Sequence, residues 1–163
     1  MDTPTWEEIA KLAPIATACI ALLAAFVATR AIYAQRDIAM RRAAIDFFLK
    51  TEMDDKLIVL YKTFKKHTKD VVKLMADPNF VETTEYHDIR AFLNICELIA
   101  VGVNEKAFSN RLSYKYWGVV LSDSYNATLP LIQKIREMPG EGEANTYIEL
   151  QILCADWREN SPA

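Results

Sequence analysis

Glycine and histidine are scarce in this chain of 163 residues, which holds four glycines, two histidines, six prolines and three cysteines. So few glycines and prolines argue against a loop-rich or all-β chain, and none of the glycines has the spacing of a phosphate-binding loop. The cysteines have no short pairing, which argues against a disulfide framework and against a zinc site. Neither histidine stands at a metal or triad spacing, so the sequence predicts no catalytic residue, no metal site and no cofactor.

Charge of one sign is also lacking, because 19 Lys and Arg face 22 Asp and Glu for a net charge of -3. A slightly acidic balance is not the electrostatic footprint of a nucleic-acid-binding protein, and we expect no nucleic acid among the partners. The charged residues are unevenly placed, since residues 12–29 include none and most charged residues follow Arg30. An apolar N-terminal part therefore precedes an ordinary polar body.

The uncharged run over residues 12–29 is long enough to cross a bilayer as a helix. At about 1.5 Å of rise per residue it covers roughly 27 Å, close to the thickness of the hydrocarbon layer. We predict a transmembrane helix over residues 12–34, preceded by an extracytoplasmic tail over residues 1–11. A cleaved signal peptide fits less well, because its N-terminal region is basic, whereas acidic residues outnumber Lys11 in this tail.

Basic residues follow the apolar run and set its expected orientation. Four arginines face a single acidic residue just beyond it, namely Arg30, Arg36, Arg41 and Arg42 against Asp37. Arginine and lysine accumulate on the cytoplasmic side of membrane helices. We therefore expect a single-pass protein of the inner (plasma) membrane, with its N-terminus outside and its C-terminal body in the cytoplasm.

Small residues recur every four positions within the apolar run, at Ala13, Thr17, Ala21, Ala25 and Thr29. Small side chains at this spacing let two membrane helices approach closely, which favours packing where the hydrophobic effect gives no help. This small-residue stripe predicts a homo-oligomer. The alternative is that the stripe is a by-product of an alanine-rich composition.

The remainder of the chain reads as all-α. Apolar side chains recur at helical spacing, and no segment shows sustained period-two alternation between hairpin turns. We predict a helical stalk over residues 35–50, a cytoplasmic helical bundle over residues 51–158 and a tail over residues 159–163. Caps and helix breakers predict a bundle of five or so helices on the stalk. They are Thr51 to Asp77, Thr83 or Thr84 to Gly102, a short turn from Asn104 to Phe108, about Ser113 to Ile135 with a break or kink at Pro130, and Ala144 to Arg158.

Two of these boundaries rest on specific residues. Thr51 with Asp54 three residues later resembles a capping box at a helix start. Gly102 suits a left-handed C-cap, because glycine adopts that conformation without a steric penalty. Tyr114, Tyr116 and Trp117 are interpreted as core and interface anchors rather than as a ligand box.

Basic side chains could bring the body to a membrane surface. They lie along one face of the helix after the stalk and within the stalk itself, at Lys62, Lys66, Lys69, Lys73, Arg41 and Arg42. Each basic residue close to an anionic leaflet contributes about 1 kcal/mol of binding. The alternative is a plain solvated face, because lysine is commonly exposed and Asp70 interrupts the patch.

Arg90, Asn94 and Glu97 follow one another at spacings of four and three, beside the apolar face of a predicted helix. A half-buried glutamate can have a raised pKa and act as a general acid or base. The alternative is a structural role, in which Glu97 makes a hydrogen bond or ion pair with Arg90 or with a neighbouring helix.

A family resemblance is carried by the run R-A-F-L-N-I-C-E-L-I-A-V-G-V from Arg90 to Val103. It is also carried by Tyr114, Trp117 and the stretch L-P-L-I-Q-K-I-R from Leu129. With these motifs the chain resembles domain-of-unknown-function family 4760 over about residues 36–158. Its core pattern is F-L-N-x-x-E-x-I-A-x-G.

The resemblance implies a small bacterial or prophage protein that is anchored by one N-terminal membrane helix and has no assigned reaction. It carries Asn94, Glu97 and Gly102 over as motif positions and leaves open whether they serve the fold or the function. Through the neighbourhood of such genes it implies a part in conflict between phage and host, as exclusion or defence.

The sequence leads to one main functional expectation and two alternatives. We expect a membrane-anchored, non-enzymatic interaction module that oligomerises and binds an unidentified protein partner. The alternatives are a membrane-disrupting effector or pore, in which association of the span is itself the activity, and an enzyme centred on Glu97.

Overall fold

Helices make up most of the chain in the computed structural model, which describes residues 6–140 and 143–162, with side chains described from residue 14 onward. Within those ranges there is no strand, and the all-α prediction is confirmed. Two short 3-10 helices, Thr68–Asp70 and Phe80–Glu82, join the longer elements. The α-helices are α1 Trp6–Glu52, α2 Asp55–His67, α3 Val71–Leu74, α4 Thr84–Asn104, α5 Asn110–Glu137 and α6 Ile148–Glu159.

The chain divides into two units, residues 1–39 and residues 40–163, with the boundary inside α1. From Pro14 onward, α1 is long and apolar enough to cross a membrane, and its most apolar window has a mean hydropathy of 2.1. No side chain of that window is buried within the protein. The candidate membrane helix predicted from the sequence is thus present. Residues 1–5 of the predicted tail lie outside the described residues, and residues 6–11 belong to α1 rather than to a separate tail.

The second unit is organised around α4, which packs against α2, α5 and α6. Its buried side chains recur every three or four residues, as one helical face requires, at Ile89, Phe92, Leu93, Cys96, Ile99, Ala100 and Val103. They meet buried side chains of α5 and α6 such as Leu121, Ile132 and Leu153. Each large aliphatic side chain removed from water contributes roughly 1.5–3 kcal/mol, so this face fixes how the bundle assembles.

The predicted start and end of the second helix were wrong. Helix α1 continues to Glu52, and the hydroxyl of Thr51 donates back to the carbonyl of Phe48 at 2.7 Å instead of capping a new helix. Asp54 is the N-cap of α2, because its backbone is extended and its carboxylate accepts from the N–H of Lys56 at 2.9 Å. The α-helix then stops at His67, well before Asp77.

Gly102 is not a left-handed C-cap, contrary to the sequence prediction. Helix α4 continues through it to Asn104, and the positive φ of 58° falls on Lys106 instead. A Cβ atom at Gly102 would lie 2.5 Å from the ring of Phe108. Glycine therefore serves close packing here, by letting an aromatic ring lie against the helix backbone.

The predicted break at Pro130 is absent, and the last two long helices are shifted at their ends. Helix α5 begins at Asn110 and runs through Pro130 to Glu137. Proline removes one helical hydrogen bond, but buried residues beyond it, such as Leu131 and Ile132, hold the helix on the core. Helix α6 begins at Ile148 and not near Ala144.

Candidate functional site

Glu97 on α4 reaches across to the first turn of α6. One carboxylate oxygen, Oε1, accepts from the backbone N–H of Glu149 at 3.1 Å, and the other, Oε2, accepts from the N–H of Leu150 at 2.8 Å. The first N–H groups of a helix have no partner within the helix itself. Glu97 therefore caps a helix that is distant in sequence, which is the structural alternative that the sequence left open, with a neighbouring helix rather than Arg90 as the partner.

Asn94 fixes the residue that precedes α6. Tyr147 has left-handed backbone angles, with φ at 60°, and its ring is buried. Its hydroxyl donates to Oδ1 of Asn94 at 3.1 Å. Arg90, one turn earlier on α4, donates to the hydroxyl of Tyr86 at 3.2 Å, and its guanidinium group also interacts with Tyr147. The Arg90, Asn94 and Glu97 stripe thus faces the junction between residue 147 and α6.

Two further side chains, which were not predicted from the sequence, hold the same junction. Arg136 of α5 donates from Nε to the carbonyl of Thr146 at 2.9 Å and from Nη1 to the side chain of Gln151 at 2.8 Å. Asn104 of α4 donates to the carboxylate of Glu149 at 2.7 Å. Neither residue carries a local signal for this role, because its partner lies on another element. We call Asn94, Glu97, Asn104, Arg136 and Tyr147 the α6-anchoring cluster.

The electrostatics of Glu97 follow from its partial burial. Loss of hydration raises the pKa of its carboxyl, and the N–H groups of Leu150 and Glu149 oppose that rise by favouring the charged form. The carboxylate of Glu149 adds to the rise, and Arg136 opposes it. A raised pKa alone would suit a general acid. Both oxygens of Glu97 are already bound to backbone donors, however, so a substrate would have to displace one of these bonds.

The two buried cysteines are poor candidates for thiol chemistry, and the described residues offer no metal site. Cys96 and Cys154 are buried, and burial raises the pKa of Cys154 to about 11 and that of Cys96 still further. Thiols in this state remain protonated and unreactive near neutral pH. Among the described residues no three His, Cys, Asp or Glu side chains come together as a metal site.

Comparison with known protein families shows which family the chain belongs to. Residues 15–157 match the family described as Domain of unknown function (DUF4760). The chain belongs to this family. The matched range begins within the apolar part of α1 and includes the whole contact between α4 and α6, so the DUF4760 pattern covers the anchoring cluster. No curated protein and no solved structure matches this DUF4760 chain.

The lysines that were predicted to share one face are divided in this DUF4760 structure. Because the α-helix ends at His67, Lys66, Lys69 and Lys73 line an open cleft of about 730 Å³, whereas Lys62 does not. Acidic side chains share the cleft, and His67 lies 3.8 Å from the carboxylate of Asp88. The cleft is therefore mixed in charge. Arg41 and Arg42 lie on α1, where Arg42 lies 3.9 Å from Asp46.

The four stripe residues with described side chains, Thr17, Ala21, Ala25 and Thr29, are exposed along α1. The hydroxyl of Thr29 donates to the carbonyl of Ala25 at 2.8 Å, which satisfies the hydroxyl without a second helix. The side chain of Ala13 lies outside the described part of the structure. In the described structure these four side chains are thus not buried by other parts of the chain.

A second cavity lies among the end of α1, α2, α4 and α5. Its volume is about 340 Å³, and most of its wall is apolar. We call it the Trp117 groove. The apolar side chains that line it are Leu57, Ile58, Tyr61, Phe92, Trp117 and Val120, and Thr51, Glu52, Lys62 and Tyr116 complete the wall.

Aromatic side chains build one side of the Trp117 groove. The ring of Tyr116 stacks on that of Phe48, with centroids 5.1 Å apart and planes 6° from parallel. The hydroxyl of Tyr116 is paired with the carboxylate of Glu52. Tyr116 and Trp117 were interpreted from the sequence as anchors. The sequence contains no signal for a groove, because the walls come from four separate helices.

Proposed function

We propose that this DUF4760 chain is a membrane-anchored, non-enzymatic interaction module that assembles with further copies of itself and binds a protein partner. The observation that carries the proposal is the exposure of the apolar part of α1. Ile20, Leu22 and Phe26 expose 67%, 72% and 60% of their surface, and no side chain of the most apolar window is covered.

The free energy of transfer from water favours lipid around this helix. A large apolar side chain gains roughly 1.5–3 kcal/mol when it leaves water, so half a dozen of them in one segment amount to on the order of 10 kcal/mol. The core helix of a soluble protein recovers this free energy by packing inside its own domain. The apolar window of α1 has no such cover in the described structure, and a bilayer supplies it.

Interaction is favoured over catalysis by how the family motif is used. Oδ1 of Asn94 accepts from Tyr147, and both carboxylate oxygens of Glu97 accept from the N-terminus of α6. Gly102 admits the ring of Phe108. Each motif position thus has a task in building the bundle. The small side chains on α1 offer a surface for close approach between two membrane helices.

The placement that we propose is a single pass through the inner membrane, with the N-terminus outside. The support is the excess of arginine that follows the apolar run. With that orientation the bundle is cytoplasmic, where its buried free thiols suit a reducing compartment. A role in excluding phage or defending against it fits such a module, which could transmit an intracellular event to the membrane through its assembly.

The test uses two full-length copies with different tags, produced together in one cell. The chain should remain in the membrane pellet after an alkaline carbonate wash, and each tag should capture the other after extraction in mild detergent. Copies from separate cultures, mixed only after extraction, are the control for adventitious association. Release by carbonate would refute the anchor, and a lack of mutual capture would refute the assembly.

A further inference from the structure

The Trp117 groove has the size and lining of a binding site for a small apolar ligand. Sites of this kind have volumes of about 300–1,000 Å³ and are walled mainly by apolar and aromatic side chains, with few polar groups. At about 340 Å³ the groove falls at the lower end of that range. A volume of this size covers part of one hydrocarbon chain and leaves no room for both chains of a phospholipid.

The groove wall offers one cation to the head of an anionic ligand. Its wall carries one basic and one acidic side chain, Lys62 and Glu52. The carboxylate of Glu52 remains negative beside the hydroxyl of Tyr116, and the ammonium group of Lys62 is the cation on the wall with which an anionic head can pair. Helix α2, which carries Lys62, has four lysines against a single acidic residue, Asp55. Helix α2 therefore carries a net positive charge of its own.

Membrane anchorage of the chain would give the groove access to such a ligand. Thr51 on the groove wall is joined to Ala39, the last residue of the first unit, by a short stretch of chain. Even if fully extended at about 3.5 Å per residue, that stretch reaches only about 40 Å. This step rests on the proposed membrane anchorage: a chain held in a bilayer keeps the groove close to a reservoir of amphiphiles.

From these observations we infer that the Trp117 groove binds the acyl chain of a free fatty acid, with the fatty-acid carboxylate paired to Lys62. The acyl chain lies against Phe92, Trp117 and Val120, and the ionised head remains at the wetter edge of the groove. Occupancy would join α1, α2 and α5 through one ligand, and would thereby couple the anchored helix to the bundle.

The test uses the full-length chain in phosphatidylcholine nanodiscs, with a photoactivatable diazirine analogue of palmitate as the probe. After illumination and digestion, labelled peptides should come from residues 51–62 and 116–120. Unlabelled palmitate in excess should reduce that labelling several-fold. Labelling confined to residues 14–39, or unaffected by the competitor, would overturn the proposal.

Matched variants distinguish labelling by a ligand bound in the groove from labelling through general contact with lipid. Val120→Trp fills the groove and should lower the specific labelling at least fivefold. Val119→Trp adds the same bulk at the next residue, which is 75% exposed, and should change little. Ile58→Trp fills the groove from α2 and serves as a second variant should Val120→Trp misfold, with circular dichroism as the check. Equal labelling of the filled and control variants would refute the groove.

The head-group contact and the anchor have separate tests. Lys62→Gln should weaken competition by palmitate several-fold, whereas Lys66→Gln, in the neighbouring cleft, should not. Water-soluble dodecanoate, as a competitor for the probe, tests the groove without a bilayer. If carbonate releases the chain and dodecanoate still protects residues 51–62 and 116–120 from labelling, membrane anchorage is refuted and fatty-acid binding in the groove is supported. If the chain stays in the membrane and dodecanoate gives no protection, only fatty-acid binding in the groove is refuted.

Discussion

The carboxylate of Glu97 accepts a hydrogen bond from the backbone N–H of Leu150 at 2.8 Å, across 53 positions of the sequence. Helix α6 has no N-cap side chain of its own, because Tyr147 occupies that position with left-handed backbone angles and makes no capping bond. Glu97 supplies from α4 what the local sequence lacks. The last helix is therefore held in place by a polar contact as well as by its apolar face.

We expect substitutions of Glu97 to order themselves by hydrogen-bonding capacity. Glu97→Gln keeps one acceptor and should cost about 1 kcal/mol, whereas Glu97→Leu leaves two backbone donors without a partner and should cost about 2–3 kcal/mol. The measurement is denaturant unfolding of the full-length chain in mild detergent. Glu105→Gln, on an exposed side chain just beyond α4, is the control and should change little. Equal stability of both Glu97 variants would contradict the capping role.

The raised pKa of Glu97 predicts a dependence of stability on pH. Because burial raises the pKa of this carboxyl in the folded state, the folded protein holds the proton more tightly than the unfolded chain. The contribution of Glu97 to stability is thus fully present below the ordinary pKa of about 4.3. It is lost as the pH rises through the raised folded value.

The check is the difference in Tm between the wild-type chain and Glu97→Gln, measured from pH 4 to pH 7 in detergent. Glutamine does not titrate, so the variant lacks this contribution, and the wild type should lose stability relative to the variant as the pH rises across the window. Two parallel curves would mean that folding leaves the pKa of Glu97 unchanged.

The apolar face of α4 could be predicted from the sequence, whereas the partners of its polar face could not. Burial of Ile89, Phe92 and Leu93 follows from a spacing that any isolated helix would display. The hydrogen bonds of Glu97 depend on the packing of residues 149 and 150 against α4, which the sequence of α4 does not encode. The pattern indicated that Glu97 needs a partner, and only the packing of α6 against α4 supplied it.

The errors at Thr51 and Gly102 have a related cause. A threonine can cap a helix or bond backward within one, and Thr51 does the latter because α1 continues to Glu52. A glycine can end a helix or admit a close neighbour, and Gly102 does the latter because Phe108 folds back onto α4. In both cases local chemistry allowed two outcomes, and tertiary contacts selected one.

Gly102→Ala should destabilise the bundle although alanine is the better helix former. The gain in helix propensity is about 1 kcal/mol, but the new Cβ would lie 2.5 Å from the ring of Phe108, and overpacking of this kind typically costs about 1–3 kcal/mol. We expect a net loss of about 1 kcal/mol in denaturant unfolding. The loss should shrink when Phe108→Leu removes the ring.

Gly118→Ala is the matched comparison, because a Cβ there would meet the ring of Tyr114 at 3.0 Å, a distance that a small ring shift relieves. It should cost less than Gly102→Ala. If both changes stabilise the protein equally, helix propensity outweighs packing at Gly102, and its close approach to Phe108 has no energetic weight.

The proposed orientation predicts which part of the chain a protease can reach. With the N-terminus outside, residues 40–163 should stay intact when protease is added to whole spheroplasts, and they should be digested once the membrane is opened. A tag placed before residue 6 should be removed in both conditions. Digestion of the bundle in whole spheroplasts would reverse the orientation.

If α1 self-associates through the small-residue stripe, larger side chains on the stripe should weaken the association, and larger side chains off the stripe should not. Replacing Ala21 and Ala25 together by leucine makes the segment more apolar, so insertion is preserved, while it adds volume where two backbones would approach. Cross-linking in membranes and native mass in mild detergent should show a marked loss of oligomer for this pair. The same double change at Ala18 and Ala24, off the stripe, is the control and should leave most of the oligomer intact. Equal behaviour of the two pairs would mean that the stripe only follows from alanine-rich composition, and that any oligomer is held together by the helical bundle.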